Sequence, residues 1–151
     1  MKKRIKREKT EIVMDLIPIE EDGFHIFIPV RVNGKKARFL VDTGASRSVV
    51  DKDRILKYLS GEEVTFEKME KLSTGLGTNT MESNSILLKR ISFGREKILN
   101  YRAVALDLTH VNQSYQLLGI RNIDGVLGGD LLSRLNAIIN YNKKVLTIRV
   151  N

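Results

Sequence analysis

Hydrophobic residues recur at every second position over residues 24–32. This period is typical of a β-strand, because successive side chains of a strand point to opposite faces. Asn33-Gly34 follows, and this dipeptide favours a two-residue hairpin. The pattern therefore predicts a strand, a tight turn and a return strand over residues 36–41.

Short apolar segments continue along the rest of the chain. They predict further strands over residues 48–50, 85–89, 91–93, 101–108, 137–141 and 144–150. Short helices are expected over residues 52–58, with Asp51 as the cap, over 109–118 and over 131–135. The helix over 109–118 is expected to bury Val111, Tyr115 and Leu118 on one face. Many short strands with few helices predict a mostly β fold, a closed or orthogonally packed barrel with one to three short helices.

Composition adds a domain count and limits the partners. A chain of 151 residues is expected to form one domain. We divide it into a basic tail and lead-in over residues 1–20 and a single folded domain over residues 21–151. Of the net charge of +8, residues 1–9 carry +5. A charged tail on a nearly neutral body favours a solvated tail over a nucleic-acid-binding arm. The alternative, a basic nucleic-acid-associated protein, requires salt-sensitive binding that depends on residues 1–9.

Several other classes of site are disfavoured. The chain has no cysteine, which excludes a disulfide framework and a thiolate metal site. His25 and His110 show no metal-ligand spacing, so we expect no metal and no cofactor. Asp15 and Pro18 interrupt the apolar residues near the start, and no apolar run approaches 18 residues. We therefore expect no signal peptide, no transmembrane helix, no membrane partner and a cytoplasmic location.

The clearest chemical signal is an apolar strand that runs directly into Asp42-Thr43-Gly44-Ala45. The segment Val126-Leu127-Gly128 lies further along and precedes a short predicted helix. An Asp-Gly-containing turn after a buried strand is the simpler interpretation of the first motif alone. Together, however, the two motifs resemble the active-site turn and the supporting segment of retropepsin-like aspartic proteases. The resemblance covers residues 24–150, and we expect a cellular member of the bacterial type.

The resemblance implies a mechanism and a set of site residues. Aspartic proteases need two carboxyl groups, and this sequence has one Asp-Thr-Gly. The second aspartate is therefore expected from a second copy of the chain, which makes a homodimer necessary for cleavage of a peptide or protein substrate. The implied catalytic residues are Asp42, Thr43 and Gly44. The implied substrate-binding residues are Ala45, Ser46, Gly75, Leu76 and Gly77, with Gly75 and Gly77 at the tip of a glycine-rich flap hairpin. The implied structural support is Val126, Leu127 and Gly128.

Three positions depart from the retroviral pattern. Ser46 and Arg47 stand where acidic residues are usual, and Gly129 stands where an arginine is usual. Since the arginine and one acid form a pair in that pattern, their joint loss indicates a rebuilt interface or peptide-end pocket. Whether the strand over residues 144–150 pairs across the dimer is left open.

Other functions remain as alternatives. One is a catalytically silent domain of the same fold that binds peptides or dimerises. A phosphate site at Gly128-Gly129 is opposed by the adjacent Asp130 and by the lack of a following lysine. A serine hydrolase is opposed because Ser46 and Ser48 are not part of a G-x-S-x-G turn.

Overall fold

The computed structural model describes residues 9–59, 67–68, 72–73, 80–81 and 84–149. Within these residues lie thirteen β-strands, two α-helices and one 3-10 helix. The strands are β1 Thr10–Val13, β2 Asp15–Ile19, β3 Gly23–Val32, β4 Lys35–Val41, β5 Val49–Asp51, β6 Glu67–Lys68, β7 Leu72–Ser73, β8 Thr80–Met81, β9 Asn84–Phe93, β10 Glu96–Leu106, β11 Gly125–Leu127, β12 Ile138–Asn140 and β13 Val145–Ile148. The helices are the 3-10 helix Arg54–Tyr58, α1 Thr109–Leu117 and α2 Gly129–Arg134.

Six strands in the described part of the chain close into a barrel, in the order β3, β4, β11, β5, β10, β9 and back to β3. Closure depends on the length of β3. One edge of β3 pairs with β4 throughout, whereas its other edge is shared between β2 at the start and β9 at Arg31 and Val32. The predicted mostly β, closed barrel with short helices is confirmed.

Strand β11 lies between two strands that are consecutive in the chain. It runs parallel to β4, with Leu127 beside Val41, and antiparallel to β5, with Val126 beside Val49. The connection from β4 to β5, residues 42–48, must therefore cross the carboxyl end of β11. This crossing places the Asp42 turn directly above the end of a buried strand.

Two groups of buried side chains stabilise the fold. The larger fills the barrel and includes the fully buried Phe39 and Leu127. The smaller lies outside the barrel wall and joins Phe27 to Tyr115 of α1. Because α1 covers the outer face of β3, the three successive residues 26–28 are all buried. A strand buried on both faces loses the simple alternation of apolar and polar positions.

The hairpin at Asn33-Gly34 is confirmed. Asn33 and Gly34 have φ angles of 50° and 83°, and a type I′ turn requires positive values at both central positions. The helix predicted after Asp51 is shorter than expected and of the 3-10 type. The Asp51 carboxylate nevertheless accepts hydrogen bonds from the backbone N–H groups of Arg54 and Leu108, each at 2.8 Å.

The predicted buried face of α1 is wrong. Val111 and Leu118 are exposed, and Asn112 is buried beside Tyr115. The Asn112 amide donates to the Ile123 carbonyl at 3.1 Å and accepts from the Ile123 N–H at 2.8 Å. Both polar groups of the side chain are thereby satisfied, which removes the usual cost of burying an amide.

The lead-in to the domain contributes two strands that the sequence pattern did not predict. Strand β2 extends the barrel sheet beside β3, and β1 pairs with β13. Strand β13 pairs with β12 on its other edge, so it is the central strand of a three-stranded sheet. Both edges of β13 are used within the chain, which argues against pairing of β13 across a dimer. The division at residue 20 stays a prediction.

Replacement of Leu127 by alanine should be strongly destabilising, since this side chain is fully buried in the barrel. We expect Leu127→Ala to lower the free energy of unfolding by about 2–5 kcal/mol in urea denaturation. Leu117→Ala is the matched control, because Leu117 is 89% exposed and its loss should change stability little. Equal effects of the two substitutions would contradict the placement of β11 in the core.

Candidate active site

The Asp42 turn is held by backbone hydrogen bonds and presents an exposed carboxylate. The Asp42 N–H donates to the Leu127 carbonyl at 3.0 Å, which ties the end of β4 to the end of β11. The Ala45 N–H donates to the Asp42 carbonyl at 3.1 Å and closes the turn. The Gly44 N–H donates to Oδ1 of Asp42 at 2.9 Å, which fixes the carboxylate over the turn. Asp42, Thr43 and Gly44 are all exposed in the single chain.

Gly128 allows the loop over residues 42–48 to lie directly on the end of β11. A Cβ atom at this position would come within 2.7 Å of the Ala45 carbonyl oxygen and 2.8 Å of the Arg47 backbone. Real Cβ atoms do not approach backbone so closely, and neither partner is a flexible side chain. The residue after the two apolar positions must therefore be glycine if the loop is to keep this position.

The start of α2 also binds the loop. The Gly129 N–H donates to the Ala45 carbonyl at 2.7 Å, and the Asp130 N–H donates to the Ser46 carbonyl at 3.2 Å. These are N–H groups of the first helical turn, which have no partner within the helix. The loop supplies acceptors to them, so loop and helix stabilise each other.

A side-chain network anchors the far end of the loop. Oδ1 of Asp130 accepts hydrogen bonds from Ser48 Oγ at 2.7 Å and from the Ser48 N–H at 2.8 Å. Ser48 Oγ accepts from the Gly128 N–H at 2.8 Å, and the Tyr101 hydroxyl donates to Oδ2 of Asp130 at 2.8 Å. Three elements distant in sequence are thereby joined beneath the Asp42 turn.

The network shifts the acidities of its members. Partial burial opposes ionisation of Asp130, but the hydrogen bonds from Ser48 and Tyr101 outweigh it and lower the pKa of Asp130. Burial, followed by the hydrogen bond to Asp130, raises the pKa of the Tyr101 hydroxyl. At neutral pH the pair therefore consists of a carboxylate acceptor and a neutral hydroxyl donor.

A cleft of about 270 Å³ opens beside Asp42 and Thr43. His25 lines it, and His25 Nδ1 lies 2.9 Å from the hydroxyl of the buried Tyr115. Burial and, secondarily, the negative charge of Asp42 raise the pKa of Tyr115. The aromatic pair of His25 and Tyr115 thus forms one wall of the cleft, within electrostatic range of the carboxylate.

The structure places most of the predicted site residues around one loop. Asp42, Thr43, Gly44, Ala45 and Ser46 form the loop above β11. Val126 is partly buried, and Leu127 and Gly128 are buried, directly beneath it. Gly75, Leu76 and Gly77, predicted as the flap tip, lie outside the described residues. The strands on either side of that segment, β7 and β8, pair antiparallel.

Sequence reasoning missed the positions that connect the loop to the rest of the domain. Ser48 and Asp130 are 82 positions apart, and Tyr101 lies on a third element. An aspartate in the first turn of a short helix is a signal for N–H capping, but it does not reveal a partner in a distant loop. In this helix Asp130 binds Ser48 and Tyr101 side chains instead of acting only as a cap.

Other described carboxylates with buried positions have structural partners. Asp124 is 3% exposed and lies 2.9 Å from Nε of Arg54 and 3.3 Å from Nζ of Lys57. Asp51 accepts the two backbone hydrogen bonds already described. In the part of the chain that the structure describes, no group of three His, Cys, Asp or Glu residues could hold a metal ion. No helix among those residues has the length and apolar character needed to cross a bilayer.

Comparison with protein families identifies the class. The family described as aspartyl protease matches residues 28–131, which includes the Asp42 loop, β11 and the start of α2. The chain therefore belongs to the aspartyl protease family, and its fold is that of the retropepsin-like members. Comparison with curated proteins gave no significant match.

Solved structures show the same fold. A retropepsin-like aspartic protease from Rickettsia conorii superposes with a TM-score of 0.57 at 22% identity, over 97% of this chain and 96% of that one. The retroviral protease-like domain of Ddi1 from Leishmania major gives 0.54 at 17% identity, over 82% and 87%. The EIAV protease in complex with the inhibitor HBY-793 gives 0.51 at 17% identity, over 82% and 99%. The predicted resemblance to retropepsin-like proteases is confirmed.

Two adjacent glycines provide a test of the loop geometry. Gly128→Ala should lower the free energy of unfolding by about 1–3 kcal/mol, because the loop must move away from the new methyl group. Gly129→Ala is the matched control, since a Cβ there meets its nearest neighbour, the Ala45 carbonyl oxygen, at an ordinary 3.5 Å. Urea denaturation of both variants checks the prediction. Indistinguishable stabilities would contradict the close approach at Gly128.

Proposed function

We propose that the protein is a homodimeric aspartic endopeptidase, with one Asp42 carboxyl from each subunit. The observation that carries the proposal is the chemistry of the Asp42 cleft. Its carboxylate is exposed on a rigid turn, and no other acidic side chain among the described residues lines the cleft. A single carboxylate cannot act as base and acid in the same step, so a second Asp42 has to come from a second copy.

The proposed reaction uses a shared proton. Two carboxyls about 3 Å apart cannot both ionise, so one is a carboxylate and the other a carboxylic acid. The carboxylate removes a proton from water, whose oxygen attacks the peptide carbonyl carbon, while the acid protonates the carbonyl oxygen. The tetrahedral diol then collapses as the amide nitrogen is protonated and the C–N bond breaks. The apparent pKa values of such a pair belong to the pair.

The neighbouring residues receive roles from the same proposal. Thr43 would hydrogen-bond across the two-fold axis and hold the two loops together. Gly44 would leave room for the substrate backbone beside the carboxylate, and Ala45 and Ser46 would bind an extended peptide as an added strand. The flap proposed at residues 75–77 would close over that peptide and exclude water.

The surface around the cleft supports association of two copies. Phe24 and Tyr141 line the cleft, and they are 55% and 61% exposed in the single chain. Exposed aromatic side chains grouped beside a site are typical of interfaces. A dimer formed through this face would cover them and bring the two Asp42 turns together.

Cleavage of a diverse peptide library from about pH 4 to pH 7 tests the proposal, because an aspartic pair needs one protonated member. We expect the wild type to cleave peptides, with a rate that rises as the square of protein concentration below the dimer dissociation constant. Asp42→Asn should abolish cleavage while the protein stays folded. Asp53→Asn is the matched control, since Asp53 is exposed and makes no capping hydrogen bond.

Two results would count against the proposal. Cleavage that survives in Asp42→Asn would assign the reaction to another residue. Absence of cleavage by protein shown to be dimeric would favour the alternative, a silent domain of this fold that binds peptides or dimerises. Retention of peptide binding without turnover would identify that alternative directly.

A further inference from the structure

A second cavity, of about 550 Å³, lies on a different part of the surface from Asp42. Its walls come from β3, β4, the 3-10 helix and the segment over residues 121–124. It shares no lining residue with the Asp42 cleft. Its volume falls in the range of sites that bind small molecules. The aspartic-protease reaction gives this cavity no role.

The lining of this cavity is strongly basic. Five cationic side chains contribute to it, against two carboxylates, Asp15 and Asp124. The five are Lys36, Arg38, Arg54, Lys57 and Arg121. Like charges grouped around a concave surface repel one another, and a bound anion relieves that repulsion. The excess of positive charge therefore favours an anionic ligand.

Asp124 fixes the cationic groups on one side and leaves the excess unneutralised. Its buried carboxylate lies 2.9 Å from Nε of Arg54 and 3.3 Å from Nζ of Lys57, and it accepts the Arg38 N–H at 2.9 Å. One carboxylate thus holds two cations at the cavity wall. The side chains are ordered before any ligand arrives, which lowers the entropic cost of binding.

Arg38 provides an independent indication of a ligand. Its guanidinium stacks on Phe27, with Cζ 4.2 Å from the ring centre, and Nη1 lies 3.4 Å from Asp15 Oδ2. Its Nε is buried and has no hydrogen-bond acceptor among the described residues. A buried donor without an acceptor is costly, so the position is suited to a ligand that brings oxygen acceptors.

We propose that this cavity binds a small molecule that carries two or more phosphate groups. Three of the five cations are arginines, whose planar guanidinium groups suit phosphate oxygens in bidentate geometry. A polyphosphate matches both the excess of positive charge and the need for several acceptors. The proposal is independent of Asp42 chemistry, and its test does not require proteolytic activity.

Isothermal titration calorimetry with inorganic pyrophosphate at constant ionic strength tests this site. We expect saturable binding, one pyrophosphate per chain, with perturbed amide NMR signals at Arg38 and Asn122. The double substitution Lys36→Gln with Arg121→Gln should weaken binding by about tenfold or more, since charged hydrogen bonds are lost. Both side chains are exposed, so the variant is expected to fold. Arg134→Gln, an exposed arginine on α2, is the matched control and should bind as the wild type does.

The alternative sources of anion binding have separate outcomes. Deletion of residues 1–9 should leave pyrophosphate binding unchanged, and its loss would overturn the proposal by assigning binding to the basic tail. Binding unaffected by the double substitution would also overturn it. A short glutamate peptide should bind far more weakly than pyrophosphate, and equal affinity would show a site for acidic peptides instead.

Discussion

The close approach of the Asp42 loop to Gly128 is the constraint on which the rest of the site depends. Strand β11 is inserted between β4 and β5, so the loop that joins them has to cross its end. The crossing is possible only without a side chain at Gly128, since a Cβ would meet loop backbone at 2.7 Å. The same contact brings the loop carbonyls to the free N–H groups of α2. One glycine thereby sets the height of the Asp42 turn and the position of the helix behind it.

The acidic residues of the chain separate into two kinds according to their surroundings. Asp124 and Asp51 are buried, and basic side chains or backbone N–H groups satisfy them. Asp130 is tied to Ser48 and Tyr101. Asp42 differs because its one hydrogen bond within the described residues comes from Gly44 of its own turn, which leaves carboxylate oxygen free for other partners. This contrast is the physical reason to assign reactivity to Asp42 and stability to the others.

Features that depend on neighbouring residues were predictable from the sequence. The Asn33-Gly34 hairpin follows from local backbone preference, and the Asp42 turn and the Val126-Leu127-Gly128 segment follow from short motifs. Features that depend on distant contacts were not. The burial of Asn112 instead of Val111 depends on the backbone of Ile123, which lies outside the helix. The Ser48–Asp130 connection and the insertion of β11 likewise bring together segments roughly 80 residues apart, and no periodicity in the sequence records such a contact.

Mixing of subunits tests the central claim most directly, namely that two copies share one active site through Asp42. Wild-type protein at fixed concentration is equilibrated with increasing Asp42→Asn protein, and the cleavage rate per wild-type chain is measured after subunit exchange. If each site needs two aspartates, the rate should fall in proportion to the wild-type fraction, because mixed dimers hold one. A rate per wild-type chain that stays constant, with exchange demonstrated independently, would contradict a shared site.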